Sequence, residues 1–130
     1  MADLFDYLKW RGDLSFAISK FNTIDALILC QLSYINFNEI IPTNLKETKT
    51  LNQVASEFAA HKDFQTKSDL GLVINPKTIE LLYAAAKSKR FGNILLCNYK
   101  DTYNPLIEEQ FCAITAIIDN IVFVAFRGTD

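Results

Sequence analysis

The chain has 130 residues, of which 50% are hydrophobic and 22% charged, and its formal net charge is -2 at pH 7. This length and composition predict one globular domain with a sizeable core and are unlike those of disordered chains. The slightly acidic balance leaves no basic stripe for a phosphate backbone, which argues against nucleic acid as a partner.

The N-terminal region is predicted to begin with a short amphipathic helix over about 4–10. Asp3 can cap this helix, and Gly12 offers a natural stop. Aromatic side chains are dense here, and we interpret them as core residues rather than a ligand cage, with a partner surface as the alternative. They are Phe5, Tyr7, Trp10, Phe16 and Phe21.

A second helix is predicted after Asn22 or Thr23, either of which can serve as its N-cap. The helix is expected to run to Tyr34 or Ile35. Because its apolar positions cover most of its circumference, it is expected to be largely buried.

Two further helices follow. Thr50 and Gln53 have capping-box spacing before apolar residues at helical intervals, which predicts the third helix. Asn75 as cap and Pro76 as first residue, with Gly92 just beyond the end, predict the fourth.

Four basic residues near the ends of the third and fourth helices are interpreted as features of those helix ends. Lys87, Lys89 and Arg90 form a small basic cluster after the fourth helix, and His61, the only histidine, follows the third. Cations in the last turn complement the helix dipole, so we expect these residues to mark helix ends rather than a binding site.

The periodicity changes from helical to strand-like after residue 92. A short apolar run covers 94–99, and two longer runs cover Gln110–Ile118 and Ile121–Arg127. Asp119 and Asn120, which separate the longer runs, tolerate the positive φ of a two-residue turn, so an antiparallel hairpin is predicted. Both faces of these strands are mostly apolar, which indicates cover by helices on both sides.

These elements predict an α/β fold of about four helices followed by a short mixed or antiparallel sheet that ends in a hairpin. One domain is expected over 1–130, helical over 1–92 and strand-rich over 93–130. The sequence carries neither a signal peptide nor a long apolar run, which favours a cytoplasmic protein without a transmembrane segment.

Few residues have the spacing that catalysis or metal binding requires. Cys30, Cys97 and Cys112 lie far apart in apolar runs and are expected to be reduced, buried thiols, so neither a disulfide, a zinc site nor any cofactor is predicted. Glu108 and Glu109 are adjacent on an extended segment, and so would point to opposite faces rather than act as a catalytic pair. A Gly-x-Ser-x-Gly nucleophile elbow does not occur in the sequence.

Four segments carry a resemblance to a known family. The last ten residues, Ile121-Val-Phe-Val-Ala-Phe-Arg-Gly-Thr-Asp130, resemble the strand and turn that class 3 lipases place before the oxyanion loop. With 22–34, 88–93 and 110–115, they make nearly the whole chain resemble an uncharacterised bacterial family of lipase-like α/β-hydrolases, a domain of unknown function related to class 3 lipases.

The resemblance implies an α/β-hydrolase-like fold of which this chain is the N-terminal portion. Thr129 would then supply an oxyanion-hole donor through its backbone N–H; the alternative is that Gly128 and Thr129 merely start a turn. The family's serine elbow, acidic residue and catalytic histidine would lie beyond Asp130, so the chain by itself is expected to be inactive.

Two hypotheses about function follow. In the first, the chain is the N-terminal fragment of a serine hydrolase, and only the full-length parent acts on a lipid or ester substrate. In the second, it is a non-catalytic module that forms homo-oligomers or binds proteins, because a sheet ending with Ile121–Phe126 would leave an apolar strand edge exposed.

Overall fold

The computed structural model describes residues 4–35, 37, 39–60, 76–104 and 109–127. Four helices and a four-stranded sheet lie within these ranges. In chain order they are α1 (Leu4–Arg11), α2 (Thr23–Leu32), β1 (Lys49–Thr50), α3 (Leu51–Ala60), α4 (Pro76–Lys87), β2 (Leu95–Asn104), β3 (Glu109–Ile118) and β4 (Ile121–Arg127). The predicted order of helices followed by strands is therefore confirmed, apart from the short β1.

The second helix, α2, begins at a complete capping box. Asn22 Oδ1 accepts hydrogen bonds from the N–H groups of Ile24 at 2.8 Å and Asp25 at 3.1 Å. In return, Asp25 Oδ2 accepts one from the Asn22 N–H at 2.9 Å, which confirms the predicted cap at Asn22. The helix ends at Leu32, earlier than predicted, where the Ser33 hydroxyl hydrogen-bonds back to the last turn.

The ends of α1 and α3 also follow the predicted local chemistry. Gly12 comes directly after α1 and donates its N–H to the Leu8 carbonyl at 2.7 Å, and a Cβ at this position would collide with that oxygen. At the start of α3, the Thr50 N–H donates to Gln53 Oε1 at 2.9 Å, and the Gln53 N–H donates to Thr50 Oγ1 at 3.1 Å. Asp3 and Asn75, the predicted caps of α1 and α4, lie outside the described residues.

The sheet has the order β1-β2-β3-β4, and every pairing between its described strands is antiparallel. The predicted hairpin is confirmed: Ile118 pairs with Ile121 across a turn in which Asp119 has φ 49° and Asn120 φ 66°. Positive φ at both central residues defines the type I′ turn that matches the twist of the flanking strands. Of the two sheet types predicted, the antiparallel one is therefore observed.

The second strand, β2, is longer than predicted. Its pairing with β3 shifts between Cys97 and Lys100, and Asn98 within this irregularity has φ 50°. The Asn98 N–H donates to the Asn44 carbonyl at 3.0 Å, so the irregular backbone is paired with the segment before β1. The ladder then continues through polar residues to Asn104, which the sequence pattern had indicated to be loop.

The core lies between the helices and one face of the sheet. Side chains from all four helices and from β2, β3 and β4 contribute to one cluster. Its largest fully buried hydrophobic members include Tyr99, Phe37, Phe58, Phe91, Ile28, Ile35, Ile40, Leu51 and Leu82. This is a mixed α/β arrangement in which an antiparallel sheet packs against helices.

Candidate functional site

The sequence-predicted candidates near the chain end are not placed by the structure. Thr129 and Gly128, the proposed oxyanion-loop residues, lie outside the described residues, as do His61 and Glu108. The role given to Thr129 therefore stays a prediction.

The N-terminal aromatic residues separate into two groups. Tyr7 is buried, and Phe5, Phe16 and Phe21 are partly buried against the core, which agrees with their interpretation as core residues. Trp10 is different, because 74% of its surface is exposed and the Arg11 guanidinium lies 4.5 Å from its ring centroid. That contact is a cation–π pair at the surface.

Arg90 lies three residues beyond the end of α4 and pairs with a carboxylate, so the prediction that it is a helix-end cation is wrong. Its side chain is 0% exposed and forms a two-pronged ion pair with the equally buried Asp25. Arg90 Nη2 lies 2.6 Å from Asp25 Oδ2, and Arg90 Nε lies 2.9 Å from Asp25 Oδ1. This parallel geometry is the strongest form of an arginine–carboxylate contact.

The rest of the Arg90 guanidinium is occupied by the loop between α1 and α2. Nη1 donates to the carbonyls of Leu14 at 3.0 Å and Ser19 at 2.8 Å, and Nη2 donates to that of Lys20 at 3.1 Å. The cation also lies 4.0 Å from the centroid of the Phe16 ring. Burial lowers the pKa of Arg90, but hydrogen bonds and charge from Asp25 outweigh it and leave the pKa above its ordinary value.

Tyr7 and Asn22 complete the network around Asp25. The Tyr7 hydroxyl donates to Asp25 Oδ1 at 2.9 Å and accepts from Asn22 Nδ2 at 2.9 Å. Burial is the largest cause that raises the pKa of Tyr7. Because both carboxylate oxygens and all the nitrogens of the guanidinium have partners, we interpret this cluster as a structural brace that joins α1, α2 and the segment after α4.

The brace continues through stacked aromatic rings to the last strand. Phe16, which lies under the Arg90 cation, has its ring centroid 5.6 Å from that of Phe91 and 5.9 Å from that of Phe21. Phe21 in turn stacks on Phe123 of β4, with 4.1 Å between centroids. The buried ion pair therefore fixes a loop whose aromatic side chains support one face of β4.

The opposite face of β4 is exposed. The exposed fractions are 59% for Val122, 48% for Val124 and 54% for Phe126, and Ile121 beside the turn is 57% exposed. On the same face of the sheet, Thr115 of the neighbouring strand β3 and Cys97 of β2 are buried. The expectation that both faces of the sheet are covered is therefore wrong at β4, the edge strand.

The register of the hairpin also determines where the backbone groups of β4 point. In a two-residue hairpin the residues flanking the turn exchange both hydrogen bonds, and hydrogen-bonded pairs then alternate along the ladder. Ile121, Phe123 and Ala125 consequently bond to β3, whereas the N–H and C=O groups of Val122 and Val124 point to the outer edge of the sheet. These two residues combine exposed apolar side chains with outward backbone groups.

An apolar cavity of about 10 Å³, at the lower limit for one water molecule, lies between α2, α3 and the sheet. No group of three or more His, Cys, Asp or Glu residues with the geometry to hold a metal ion occurs in the ranges described. Among the described helices, none has the length and apolar character needed to cross a bilayer.

The two cysteines with described side chains differ in exposure. Cys97 of β2 is buried, and Cys30 of α2 is half-buried. Burial raises the pKa of the Cys97 thiol, which keeps it protonated at neutral pH.

These observations define a mixed α/β unit with a braced N-terminal half and an exposed strand edge. The family model described as Mbeg1-like matches residues 85–130, which run from the last turn of α4 through β4. The match includes Arg90 and the exposed strand but covers only about a third of the chain. Comparisons with curated proteins and with solved structures gave no match.

The family match corrects the resemblance drawn from the sequence. Mbeg1-like is not a lipase family, so the assignment to lipase-like α/β-hydrolases and the description as a hydrolase are wrong. The segments that suggested a lipase form a helix, a turn and an antiparallel hairpin here. Short apolar strands that end in a turn are common to many folds, which explains why the pattern misled.

Proposed function

We propose that the chain is a non-catalytic interaction module that binds an extended segment along the outer edge of β4. The observation that carries this proposal is the coincidence at Val122 and Val124 of exposed apolar side chains with outward N–H and C=O groups. Strand addition uses these two features: main-chain hydrogen bonds give affinity, and alternate side chains give specificity.

The composition of β4 supports the same function. From Ile121 to Phe126 the strand has no charge, no proline and no glycine, and five of its six residues are β-branched or aromatic. Edge strands of proteins that avoid association usually carry a charge, a proline or a bulge. The stretch Ile121–Phe126 lacks these protections, as expected of an edge that is used for binding.

Support from the opposite side of β4 gives the edge a fixed shape. The stack of Phe21 on Phe123 and the loop held by Arg90 keep the strand in place before a partner arrives. A rigid edge binds more tightly because little conformational entropy is lost on association.

A synthetic strand tests the proposal directly. We expect a capped peptide of alternating threonine and valine to shift the backbone amide NMR signals of Val122 and Val124. The substitution Val124→Lys places a charge in the middle of the edge and should abolish these shifts.

Leu45→Lys is the matched control, because it adds the same charge to an apolar side chain that is 65% exposed in a loop away from β4. The control should bind the peptide as the original chain does. Shifts that are absent from β4, or equal in the two lysine variants, would contradict the proposed function.

A further inference from the structure

We infer that Phe21 is a positioning residue for the outer edge of β4, and that the buried Asp25–Arg90 pair acts on this edge through the Phe21 ring. The inference rests on the proposed function where it concerns binding, and it adds the residue that keeps β4 in its binding shape. Phe21 does not belong to the edge itself, because it contacts the face of β4 opposite to Val122 and Val124.

Arg90 fixes the backbone of the loop between α1 and α2 at four carbonyl groups. Its backbone N–H donates to the carbonyl of Gly12 at 2.8 Å. Its guanidinium donates to the carbonyls of Leu14, Ser19 and Lys20. These four carbonyls lie on both sides of the central turn of the loop, so one distant residue determines the course of the whole loop.

The backbone is also fixed on both sides of Phe21. The carbonyl of the preceding residue, Lys20, accepts from Arg90 Nη2 at 3.1 Å. The following residue, Asn22, caps α2, and its side chain donates to the Tyr7 hydroxyl at 2.9 Å. A side chain whose two neighbours are held in this way has few rotamers open to it. The network around Arg90 therefore determines where the Phe21 ring lies.

The Phe21 ring supports β4 near the start of the strand. It stacks on Phe123, with 4.1 Å between the ring centroids and 24° between the ring planes. Phe123 is the third residue after the hairpin turn, and β4 is the last strand of the described sheet, with its ladder on one side. Ends of edge strands open readily, because few contacts hold them. Packing by Phe21 therefore favours the closed form of the strand.

Phe16 strengthens the link between Arg90 and β4. Its ring centroid lies 4.0 Å from the Arg90 guanidinium and 5.9 Å from the centroid of Phe21. The link thus has two parts, the hydrogen bonds to the loop backbone and the contacts between aromatic rings. Because Phe16 and Phe21 are in contact and support the same strand, we expect their effects on β4 to be non-additive.

The consequence for binding is a loss of affinity without any change at the edge. A strand that must be ordered before it accepts a peptide binds less tightly, because ordering costs conformational entropy. Phe21→Leu keeps an apolar side chain but removes the stacked ring, and should weaken binding of the capped threonine–valine peptide about threefold to tenfold. Phe21→Tyr keeps the ring at this half-buried position and should bind as the original chain does.

Amide hydrogen exchange separates positioning from a general loss of stability. The N–H groups of Phe123 and Ala125 bond to β3, and local opening of β4 exposes them to exchange. A general loss of stability raises exchange in the β2–β3 ladder as well. In Phe21→Leu we expect the ratio of β4 rates to β2–β3 rates to rise at least about tenfold.

Phe5→Leu is the matched control, because Phe5 is another half-buried phenylalanine that packs against the core, in α1 and outside the loop. This variant should leave both the ratio of exchange rates and the peptide affinity unchanged. Phe16→Leu should raise the ratio less than Phe21→Leu does, and should have a smaller effect in the Phe21→Leu background than in the original chain.

The outcomes separate the inference from the proposed function. If the peptide binds through β4, but Phe21→Leu and Phe5→Leu have the same affinity and the same ratio of exchange rates, the inference is overturned and the proposed function stands. If the original chain does not bind the peptide, the proposed function fails, whereas a raised ratio in Phe21→Leu still supports the positioning of β4 by this ring. An unchanged ratio in a chain that does not bind overturns both.

Discussion

Burial of the Asp25–Arg90 pair carries a large desolvation cost, and the surrounding hydrogen bonds offset it. Asp25 accepts from Arg90, Tyr7 and the Asn22 N–H, and Arg90 donates to three further carbonyls. A pair with this set of partners is stable as a unit, but either charge alone would be left in an apolar interior.

We predict that Arg90→Met destabilises the chain by about 3–5 kcal/mol, because it leaves Asp25 buried without its counter-charge. Lys89→Met removes the neighbouring exposed cation and should change the free energy of unfolding by less than about 0.5 kcal/mol. Urea unfolding of both variants measures the difference. Similar losses for the two would show that Arg90 contributes as a surface charge and not as a brace.

Tyr7 gives the same network a dependence on pH. Its pKa is raised above 10.0 in the folded state, so the folded chain holds the phenol proton more tightly than the unfolded chain does. This stabilisation is complete below the unfolded pKa and is lost as the pH rises through the folded value.

We therefore predict that the urea midpoint falls between about pH 9 and about pH 12, and that Tyr7→Phe makes the decline shallower. Burial raises the pKa of Tyr83 as well, so the double variant with Tyr83→Phe should be shallower still. An unchanged slope in Tyr7→Phe would contradict the role given to the phenol.

The sequence could not predict the role of Arg90. Its neighbours Lys87 and Lys89 made it resemble a cation at a helix end, and its partner Asp25 lies 65 residues earlier in the chain. Asp25 itself fits the local pattern of a capping box. That pattern explains a hydrogen bond to only one of its two carboxylate oxygens. Long-range pairing of single charges leaves no periodic signal in a sequence.

At the scale of elements, local chemistry was the best guide. The caps at Asn22 and Thr50, the stop at Gly12 and the turn at Asp119 and Asn120 all depend on neighbouring residues, and the structure agrees with each. β1 was missed because two residues are too few for a pattern, and the full length of β2 was missed because its second half is polar. Both strands are defined by pairing with distant segments.

The hairpin turn provides a test at this scale. Asn120 has φ 66°, a conformation that asparagine tolerates and β-branched residues do not. We predict that Asn120→Val destabilises the chain by roughly 1–2 kcal/mol. Asn120→Gly is the matched control and should leave stability equal or slightly higher, as measured by urea unfolding.

For the whole molecule, the exposure of apolar surface is uneven. Leu96 and Cys97 of β2 and Ala113–Ala116 of β3 are buried, but burial stops on one face of β4, where Val122 and Val124 are half exposed. Alternation of apolar residues on both faces led to the prediction of cover on both sides. The sequence could not indicate that burial of this face ends at β4. A strand inside a core and a strand at an exposed edge can have the same apolar composition.

If the β4 edge binds an extended segment, the melting temperature must depend on the concentration of that segment. Only the folded chain has the edge, so raising the peptide concentration stabilises it by mass action. We predict a melting temperature that rises over about a hundredfold increase in the concentration of the threonine–valine peptide, and a constant value for Val124→Lys. A constant melting temperature for the unsubstituted chain would argue against binding at the edge.

The long separation between Asp25 and Arg90 has a consequence for synthesis on the ribosome. Helices α1 and α2 are translated well before the cation that joins them. At about 5–20 residues per second, the ribosome needs roughly 3–13 seconds to advance the 65 positions from Asp25 to Arg90. During this interval the nascent N-terminal half lacks its brace and exposes Phe16, which later packs beneath Arg90. The chain is therefore most vulnerable to proteases and most dependent on chaperones before residue 90 emerges.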